Sequence, residues 1–376
     1  MRYSYLILFT AMILFTACEN AQVNEKNSEE NSNSFEVEVE KLADGLQNPW
    51  GLEFLPDGRI LIAERPGRLR VFEDGELKSA PIEGLPEIWA HGQGGLLDVR
   101  MHPDYEENGW LYIAYAARGQ GNSGNTAIAR GRLENNRFTD VEVLFHGQPH
   151  TSGRVHFGTR IVFDEDGYLF FAIGDRGQQD MAQELNNHNG KVLRLYDDGK
   201  EPSDNPFVDK SDAKPEIWAY GSRNIQGMAF HPETGALWTH EHGPKGGDEI
   251  NVIRPGENYG WPKATHGINY DGSTITEHTS LPGMVDPILD WTPSIAPCGM
   301  DFVTSDRYPS WNGDILVGAL AGQHIHRVVI EGEEVIHTEK MLEGLARFRA
   351  VRQGPDGYIY ILTESPGMFL RIKPEA

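Results

Sequence analysis

A sequence motif repeated along the chain constrains the fold more than any other feature. It consists of a short apolar strand, a turn built on Pro, Asp and Gly, and a second apolar strand. The copies lie roughly 50–70 residues apart, the length scale of a four-stranded propeller blade. The strands alternate as half-buried strands do, and no stretch shows a sustained helical period with caps. The copies begin at Gly51, Leu97, Ile161, Gly227, Gly299 and Ala350.

These six copies predict an all-β chain, a six-bladed β-propeller of four-stranded antiparallel blades that spans residues 35–376. The 42 glycines and 22 prolines favour many short strands over long helices. A strictly alternating segment at residues 35–40 lies at the start of this region. We expect it to add a strand to the last blade and close the ring, because closure removes exposed sheet edges.

The N-terminus has the features of an export signal. Arg2 precedes an apolar run at residues 5–15, and small residues follow up to Cys18. This predicts a signal peptide at residues 1–17, and the run is too short for a comfortable membrane span. Leu14 to Cys18 resembles a bacterial lipobox, which predicts a lipid on Cys18, whereas the alternative is an ordinary signal peptide.

The segment that follows is polar. Residues 18–34 have almost no apolar side chain and predict a flexible tether. The expected protein is therefore an exported lipoprotein of the periplasm or cell envelope, attached to a membrane only through the lipid at Cys18. Cys298, the other cysteine of the chain, then has no partner for an internal disulfide.

Charge and motifs exclude several function classes. The formal net charge of −23 argues against nucleic-acid binding, which needs a basic face. The chain has no P-loop, HExxH, GxSxG or CxxC motif. Residues 119–124 match GxGxxG, but a strand-like segment follows them. Because dinucleotide binding by that motif needs a helix N-terminus, we interpret this segment as a loop.

Unusual polar residues stand just before or between the repeated strands. In a propeller, such positions converge on the central channel. Taken singly, each residue could have a purely structural role: His156 could be a buried histidine and the arginines could be solvated side chains. His240 and His242 share a face, but no third His or Cys at metal spacing supports a zinc site. Their shared position suits an anionic, planar ligand beside a proton-transfer site. The residues are Gln93, His156, Arg223, Asn224, Arg347 and Arg349, with an acidic loop at residues 240–251.

Six segments resemble the soluble pyrroloquinoline quinone (PQQ)-dependent sugar dehydrogenases of the glucose/sorbosone dehydrogenase family, in particular the aldose sugar dehydrogenase branch. The resemblance runs from about Leu42 to Ile372. It implies a six-bladed propeller, and it makes residues 35–376 a catalytic domain that oxidises the anomeric C1 hydroxyl of aldoses to the lactone. The segments are GQGGLLDV (92–99), HFGTRIVFD (156–164), GSRNIQGMAF (221–230), EHGPKGGDEINVI (241–253), NYGWPKAT (258–265) and RFRAVRQGPDGYIYILTE (347–364).

The resemblance also implies roles for individual residues. His156 is then the general base, while hydride passes to PQQ. Arg223 stabilises charge on the quinone oxygens, and Trp291 stacks near the ring plane. The expected cofactor-binding set is Gln93, Arg223, Asn224, Trp291, Leu320, Ala321, Arg347 and Arg349.

Calcium is the second implied cofactor. Gly243 and Pro244 would offer main-chain carbonyls to a Ca²⁺ that also binds PQQ, in a Lewis-acid role. Glu249 and Tyr259 match positions that bind a further, structural calcium in the aldose branch.

Two departures from the glucose enzymes weaken any claim of glucose specificity. Val155 replaces an aspartate directly before the histidine, and the region of Ala321 lacks a lysine. Both departures fit the aldose branch. The preferred aldose and the electron acceptor stay open.

Two other functions compete with the dehydrogenase. A calcium-dependent propeller lactonase or hydrolase would keep the acidic loop but would not need Arg223, Arg347 and Arg349. A non-enzymatic binding propeller would not need His156 as a base.

Overall fold

The computed structural model describes residues 37–374. Within them, six four-stranded antiparallel sheets form the blades of a β-propeller, which confirms the predicted fold. The predicted signal peptide, the lipid anchor at Cys18 and the tether lie outside the described residues. No helix within residues 37–374 is long and apolar enough to cross a membrane.

The strands follow one another blade by blade, and the first strand of each of blades 1–6 lies innermost. Strand β1 (Val37–Asp44) belongs to the last blade. The strands of the first three blades are β2 (Pro49–Phe54), β3 (Ile60–Glu64), β4 (Arg68–Glu73) and β5 (Glu76–Leu77) in blade 1; β6 (Leu96–Met101), β7 (Leu111–Arg118), β8 (Gly124–Glu134) and β9 (Arg137–His146) in blade 2; and β10 (Ile161–Phe163), β11 (Leu169–Ile173), β12 (Lys191–Leu195) and β13 (Ile217–Tyr220) in blade 3.

The remaining blades complete the ring. Their strands are β14 (Ile225–Phe230), β15 (Leu237–Glu241), β16 (Asp248–Ile253) and β17 (Leu289–Trp291) in blade 4; β18 (Pro297–Phe302), β19 (Ile315–Ala319), β20 (Ile325–Glu331) and β21 (Glu334–Met341) in blade 5; and β22 (Phe348–Gln353), β23 (Ile359–Glu364) and β24 (Gly367–Pro374) in blade 6. The helical elements of the described residues are short: α1 (Tyr105–Asn108) and 3₁₀ turns at Gln179–Gln183 and Pro309–Trp311.

The two ends of the described chain close the ring together. β1 pairs antiparallel with β24, with Val37 opposite Pro374, and becomes the outer strand of blade 6. This confirms the role predicted for the alternating N-terminal segment. Its residues are half-buried or exposed and none is fully buried, as expected for an outer strand.

Apolar side chains pack between neighbouring blades. Between blades 1 and 2, for example, Leu61 and Val71 share one buried cluster with Val99 and Ile113. The second strands β3 and β11 are buried on both faces and are apolar along most of their length. The strand order therefore fixes the positions of the loops at each end of the channel.

A buried arginine crosses the central channel. The Arg160 guanidinium donates to the main-chain carbonyls of Trp50 at 2.9 Å, Gln226 at 3.0 Å and Arg349 at 2.8 Å. Its positive charge is partnered by Asp98, with 3.6 Å between Nη1 and Oδ1. One side chain thus joins the inner strands or their leading loops in blades 1, 2, 4 and 6.

We expect Arg160→Met to lower the free energy of unfolding by about 3–5 kcal/mol, because it leaves Asp98 and three carbonyls buried without their partner. Urea unfolding monitored by circular dichroism measures this loss. The matched control is Arg137→Met, whose exposed ion pair with Glu83 spans 3.1 Å and should contribute within about 0.5 kcal/mol. Equal losses in the two variants would show that the Arg160 contacts do not stabilise the ring.

Candidate active site

The predicted polar residues meet at one mouth of the channel, where the inner strands begin. A cavity of about 270 Å³ there is lined by Gln93, Asn224, Leu320, Arg347 and Arg349 among others. Larger cavities, of about 370 and 580 Å³, lie at the opposite mouth and beside blade 3. The groups suited to proton transfer and anion binding gather at the smaller one, so cavity size does not identify the site.

The cavity lining is positively charged although the chain is acidic. Three guanidiniums, those of Arg65, Arg347 and Arg349, face it with one carboxylate, Glu364. Glu364 bridges two of them, accepting from Arg349 Nη2 at 2.7 Å and from Arg347 Nε and Nη2 at 3.1 Å. Burial alone would raise the pKa of Glu364, but Arg349 and Arg347 hold it below its ordinary value. The carboxylate therefore stays charged and orients both arginines.

His156 is not itself part of the cavity lining, but it directly precedes the lining residues Phe157 and Gly158, and it has an unusual backbone conformation. Its φ is +54°, in the left-handed region that non-glycine residues rarely adopt. Its N–H donates to Gln93 Oε1 at 2.8 Å, and its ring Nδ1 lies 2.6 Å from Asp175 Oδ1. Because a carboxylate accepts from Nδ1–H, the lone pair is on Nε2, the nitrogen that can accept a proton.

The surroundings keep this imidazole neutral. Burial lowers the pKa of His156 below its ordinary value, the hydrogen bond to Asp175 opposes this, and the positive charge of Arg223 lowers the pKa further. For Asp175, burial raises the pKa, but His156 and Arg223 outweigh it and hold the pKa below its usual range. The pair is therefore a neutral base beside a charged carboxylate at neutral pH.

Two functional side chains here were not assigned a role from the sequence. Asp175 follows β11 in the loop to β12, and Trp261 belongs to the long segment between β16 and β17. The indole Nε1 of Trp261 donates to Asp175 Oδ2 at 2.8 Å. Asp175 stands just after the second strand of its repeat, and this position could have identified it as a candidate site residue. The repeat does not predict the path of the long segment that brings Trp261 to blade 3.

Arg223 connects the cavity to the acidic loop. Its Nη1 donates to the carbonyls of His242 at 2.8 Å and Gly243 at 2.9 Å. The main-chain N–H groups of Arg223 and Asn224 both donate to Glu241 Oε2. A single buried carboxylate therefore fixes the turn that presents Arg223 and Asn224.

The predicted calcium loop is compact. Gly243 and Pro244 are buried between β15 and β16, and the Gly243 N–H donates to Asp248 Oδ1 at 2.8 Å. A Cβ at Gly243 would lie 2.1 Å from the Gly246 carbonyl oxygen, so only glycine fits. The loop thus concentrates main-chain carbonyls beside Arg223.

In the second predicted metal set, Glu249 and Tyr259, the carboxylate of Glu249 faces another buried carboxylate that was not predicted. Glu249 lies directly opposite Glu241 in the ladder between β15 and β16. Burial raises the pKa of Glu241 to about 7, and burial together with Glu241 raises that of Glu249 well above its ordinary value. The hydroxyl of Tyr259 donates to the Val252 carbonyl and accepts from the Arg254 N–H. Any contribution of Tyr259 to a cation would therefore come from its main-chain carbonyl.

Three predicted cofactor residues lie apart from the cavity lining: Arg223, which is next to the lining residue Asn224, and Ala321 and Trp291. Ala321 is exposed next to Leu320 at the rim. Trp291 packs in the apolar cluster between blades 4 and 5, with its ring 5.3 Å from that of His326. The structure therefore does not bring Trp291 to the cavity, because its side chain is part of the core beside β16 and β18.

Comparisons with family models and with known proteins point to the same family. Residues 46–371 match the Glucose / Sorbosone dehydrogenase family. The aldose sugar dehydrogenase YliI of Escherichia coli (strain K12) is 45% identical over 345 residues, which cover 90% of this chain and 93% of that protein. The chain belongs to the glucose/sorbosone dehydrogenase family. The family predicted from the sequence, and with it the assignment as an enzyme, is confirmed.

Solved structures of this family share the fold. The soluble aldose sugar dehydrogenase from Escherichia coli, in its apo-form, has a TM-score of 0.87 at 43% identity and covers 90% of this chain and 100% of its own. The PQQ-bound form of the aldose sugar dehydrogenase from Streptomyces coelicolor has a TM-score of 0.76 at 25% identity, with 90% and 98% covered.

We expect Asp175→Asn to lower kcat for sugar oxidation by about 10³–10⁴-fold, because the amide no longer holds His156 as the Nδ1–H tautomer. Steady-state kinetics measures this. Asp271→Asn, an exposed carboxylate bonded to Ser273, is the matched control and should leave kcat unchanged. Wild-type kcat in the Asp175 variant would show that this carboxylate does not orient the base.

Proposed function

We propose that this protein oxidises the anomeric C1 hydroxyl of aldoses to the lactone, with PQQ as the hydride acceptor and Ca²⁺ bound beside it. The observation that carries the proposal is the neutral His156, held by Asp175 next to an arginine-lined cavity. A base next to an anion-binding cavity is what this reaction needs from the protein.

The residues present fit PQQ. The cofactor is a quinone that carries carboxylates, and three guanidiniums face the cavity. Arg349 Nε is buried and has no hydrogen-bond partner among the described residues, so it has a donor to offer an anion. When bound, PQQ supplies the hydride acceptor.

The residues also fit Ca²⁺. Within residues 37–374, no group of three or more His, Cys, Asp or Glu side chains is arranged to hold a metal ion. A cation at Gly243 and Pro244 would therefore depend on main-chain carbonyls, which calcium accepts. The facing Glu241 and Glu249 supply oxygen ligands for a second cation, which would relieve their mutual repulsion.

The protein's own groups then have separate tasks. His156 Nε2 takes the proton of the C1 hydroxyl, and the negative charge of Asp175 stabilises the resulting imidazolium. Arg223, buried beside His242 and Gly243, offers positive charge to a ligand oxygen on which negative charge develops.

The comparisons support this chemistry for the chain. The relative from Escherichia coli is named an aldose sugar dehydrogenase, and the structure from Streptomyces coelicolor is of a PQQ-bound form. Val155 and Ala321, where the sequence departs from the glucose enzymes, lead us to propose a broad aldose range. We further propose export as a lipoprotein anchored at Cys18 in the cell envelope, with the electrons passing to an acceptor yet to be identified.

The direct test uses protein comprising residues 19–376, supplied with PQQ and Ca²⁺, and follows reduction of an artificial electron dye with a panel of aldoses. We expect activity that requires both additions, and a loss of at least about 10²–10⁴-fold in His156→Gln. His337→Gln, an exposed histidine on β21, is the control. Failure to bind PQQ would contradict the proposal and favour a lactonase or a binding module.

Calcium should also stabilise the fold. We expect saturating Ca²⁺ to raise the unfolding temperature of the cofactor-free protein by about 2–6 °C. Glu249→Gln should lose part of this increment, because it removes one ligand of the facing pair. Glu142→Gln, in a half-exposed ion pair with Arg130, should keep all of it. An unchanged increment in the Glu249 variant would place calcium elsewhere.

A further inference from the structure

We propose that Trp261 is a positioning residue for the oxidation step, holding Asp175 in the orientation that aligns His156. The inference rests on the proposed role of His156 as the base. Trp261 comes from blade 4, in the segment between β16 and β17, and reaches Asp175 in blade 3. It therefore links the base to a part of the chain distant in sequence.

The two oxygens of Asp175 have different partners. Oδ1 accepts from His156 Nδ1 at 2.6 Å and from the Gly177 N–H at 2.7 Å, whereas Oδ2 accepts from Trp261 Nε1 at 2.8 Å. Asp175 is only 1% exposed, so water does not replace a lost donor easily. Without the indole N–H, Oδ2 is a buried acceptor without its donor, and the carboxylate can rotate away from His156.

The main chain that carries the indole is held independently of any ligand. The main-chain N–H of Trp261 donates to the Gly221 carbonyl at 2.8 Å, and the Trp261 carbonyl accepts from Gln183 Nε2 at 2.8 Å. Gln183 also exchanges two hydrogen bonds with Asn258. The donor for Asp175 is therefore in place before substrate or cofactor binds, which is the condition for pre-organised catalysis.

The same indole contacts the second catalytic candidate. The Arg223 guanidinium carbon lies 5.3 Å from the centre of the Trp261 ring, within the range of a cation–π contact. One side chain thus touches both the partner of the base and the arginine proposed to stabilise negative charge. Trp261→Phe separates the two contacts, because phenylalanine keeps an aromatic ring but has no N–H.

The effect on His156 has a defined sign. The charged groups that act on its ring are Asp175, Arg223 and Arg176. Asp175 raises the pKa of His156 through its hydrogen bond and its charge. When the carboxylate rotates away, this effect weakens and the pKa of His156 falls further below its ordinary value. The acid limb of the kcat/KM profile, which reports the free enzyme, should therefore move to lower pH.

The test compares wild type with Trp261→Phe in the full, cofactor-loaded protein and in the cofactor-free protein. We expect kcat to fall about 10–100-fold with a smaller change in KM, and the acid limb to move to lower pH. In the cofactor-free protein, nitrogen NMR of the His156 ring, assigned from its absence in His156→Gln, should give a lower pKa than in the wild type. Trp238→Phe is the matched control, since Trp238 is buried and its Nε1 has no partner among the described residues.

The outcomes are distinguishable. Wild-type kcat with an unmoved acid limb overturns the inference, and so does a change in KM alone, which would mean that Trp261 only packs. Activity that survives in His156→Gln instead overturns the proposed base. If Trp261→Phe does not fold, the wild-type indole proton is followed by NMR: its shift should track protonation of His156, and independence from that titration overturns the inference.

Discussion

The position of every site residue depends on how Arg160 ties the inner strands together. Its guanidinium donates to carbonyls of Trp50, Gln226 and Arg349, and Asp98 supplies the opposite charge. A buried cation of this kind stabilises a fold only when nearly all its donors are used, as they are here. Because the carbonyls come from blades 1, 4 and 6, the contacts set how far apart the inner strands lie around the channel. The cavity above them keeps its shape for the same reason.

The site follows from this arrangement through a simple rule of position. Each inner strand begins at the same mouth, so the residues that precede the strands become neighbours although they are far apart in sequence. Asn224 and Arg349 line one cavity because they precede or begin β14 and β22. Blade 4 contributes most, since its loop from β15 to β16 carries Gly243 and its loop from β16 to β17 carries Trp261. The chemistry is therefore concentrated between blades 3 and 4, while blades 1 and 6 supply the arginine-bearing wall, with Arg65 after β3 and with Arg347 and Arg349 at the start of β22.

The fold and most of the cavity lining could be predicted from the sequence, because the repeated strand motif determines both the number of blades and the positions of the loops. The closing strand β1, and the meeting of Gln93, Arg347 and Arg349 at one mouth, followed from the repeat alone. The hydrogen bond from Trp261 to Asp175 did not, because the path of a long inserted segment is set by tertiary packing and not by local pattern. The position of Trp291 was also outside what the repeat could predict: the family resemblance implied a place near the ring plane of the cofactor, whereas in this structure the side chain packs into the core cluster between blades 4 and 5, where its large apolar surface is buried.

Arg223 shows how one charge can serve both partners of a proton-transfer pair. Its positive charge lowers the pKa of His156 and also lowers that of Asp175. For the histidine this favours the neutral base, and for the aspartate it favours the charged carboxylate, so the two effects cooperate at neutral pH. Burial favours the neutral form of both groups. It therefore helps to keep the histidine a neutral base, but it works against the charge on the aspartate. The Asp175 charge is therefore retained because His156, Arg223 and the Gly177 N–H together outweigh burial. Trp261 donates to the other oxygen, so the orientation of the carboxylate toward the base depends on contacts from two blades.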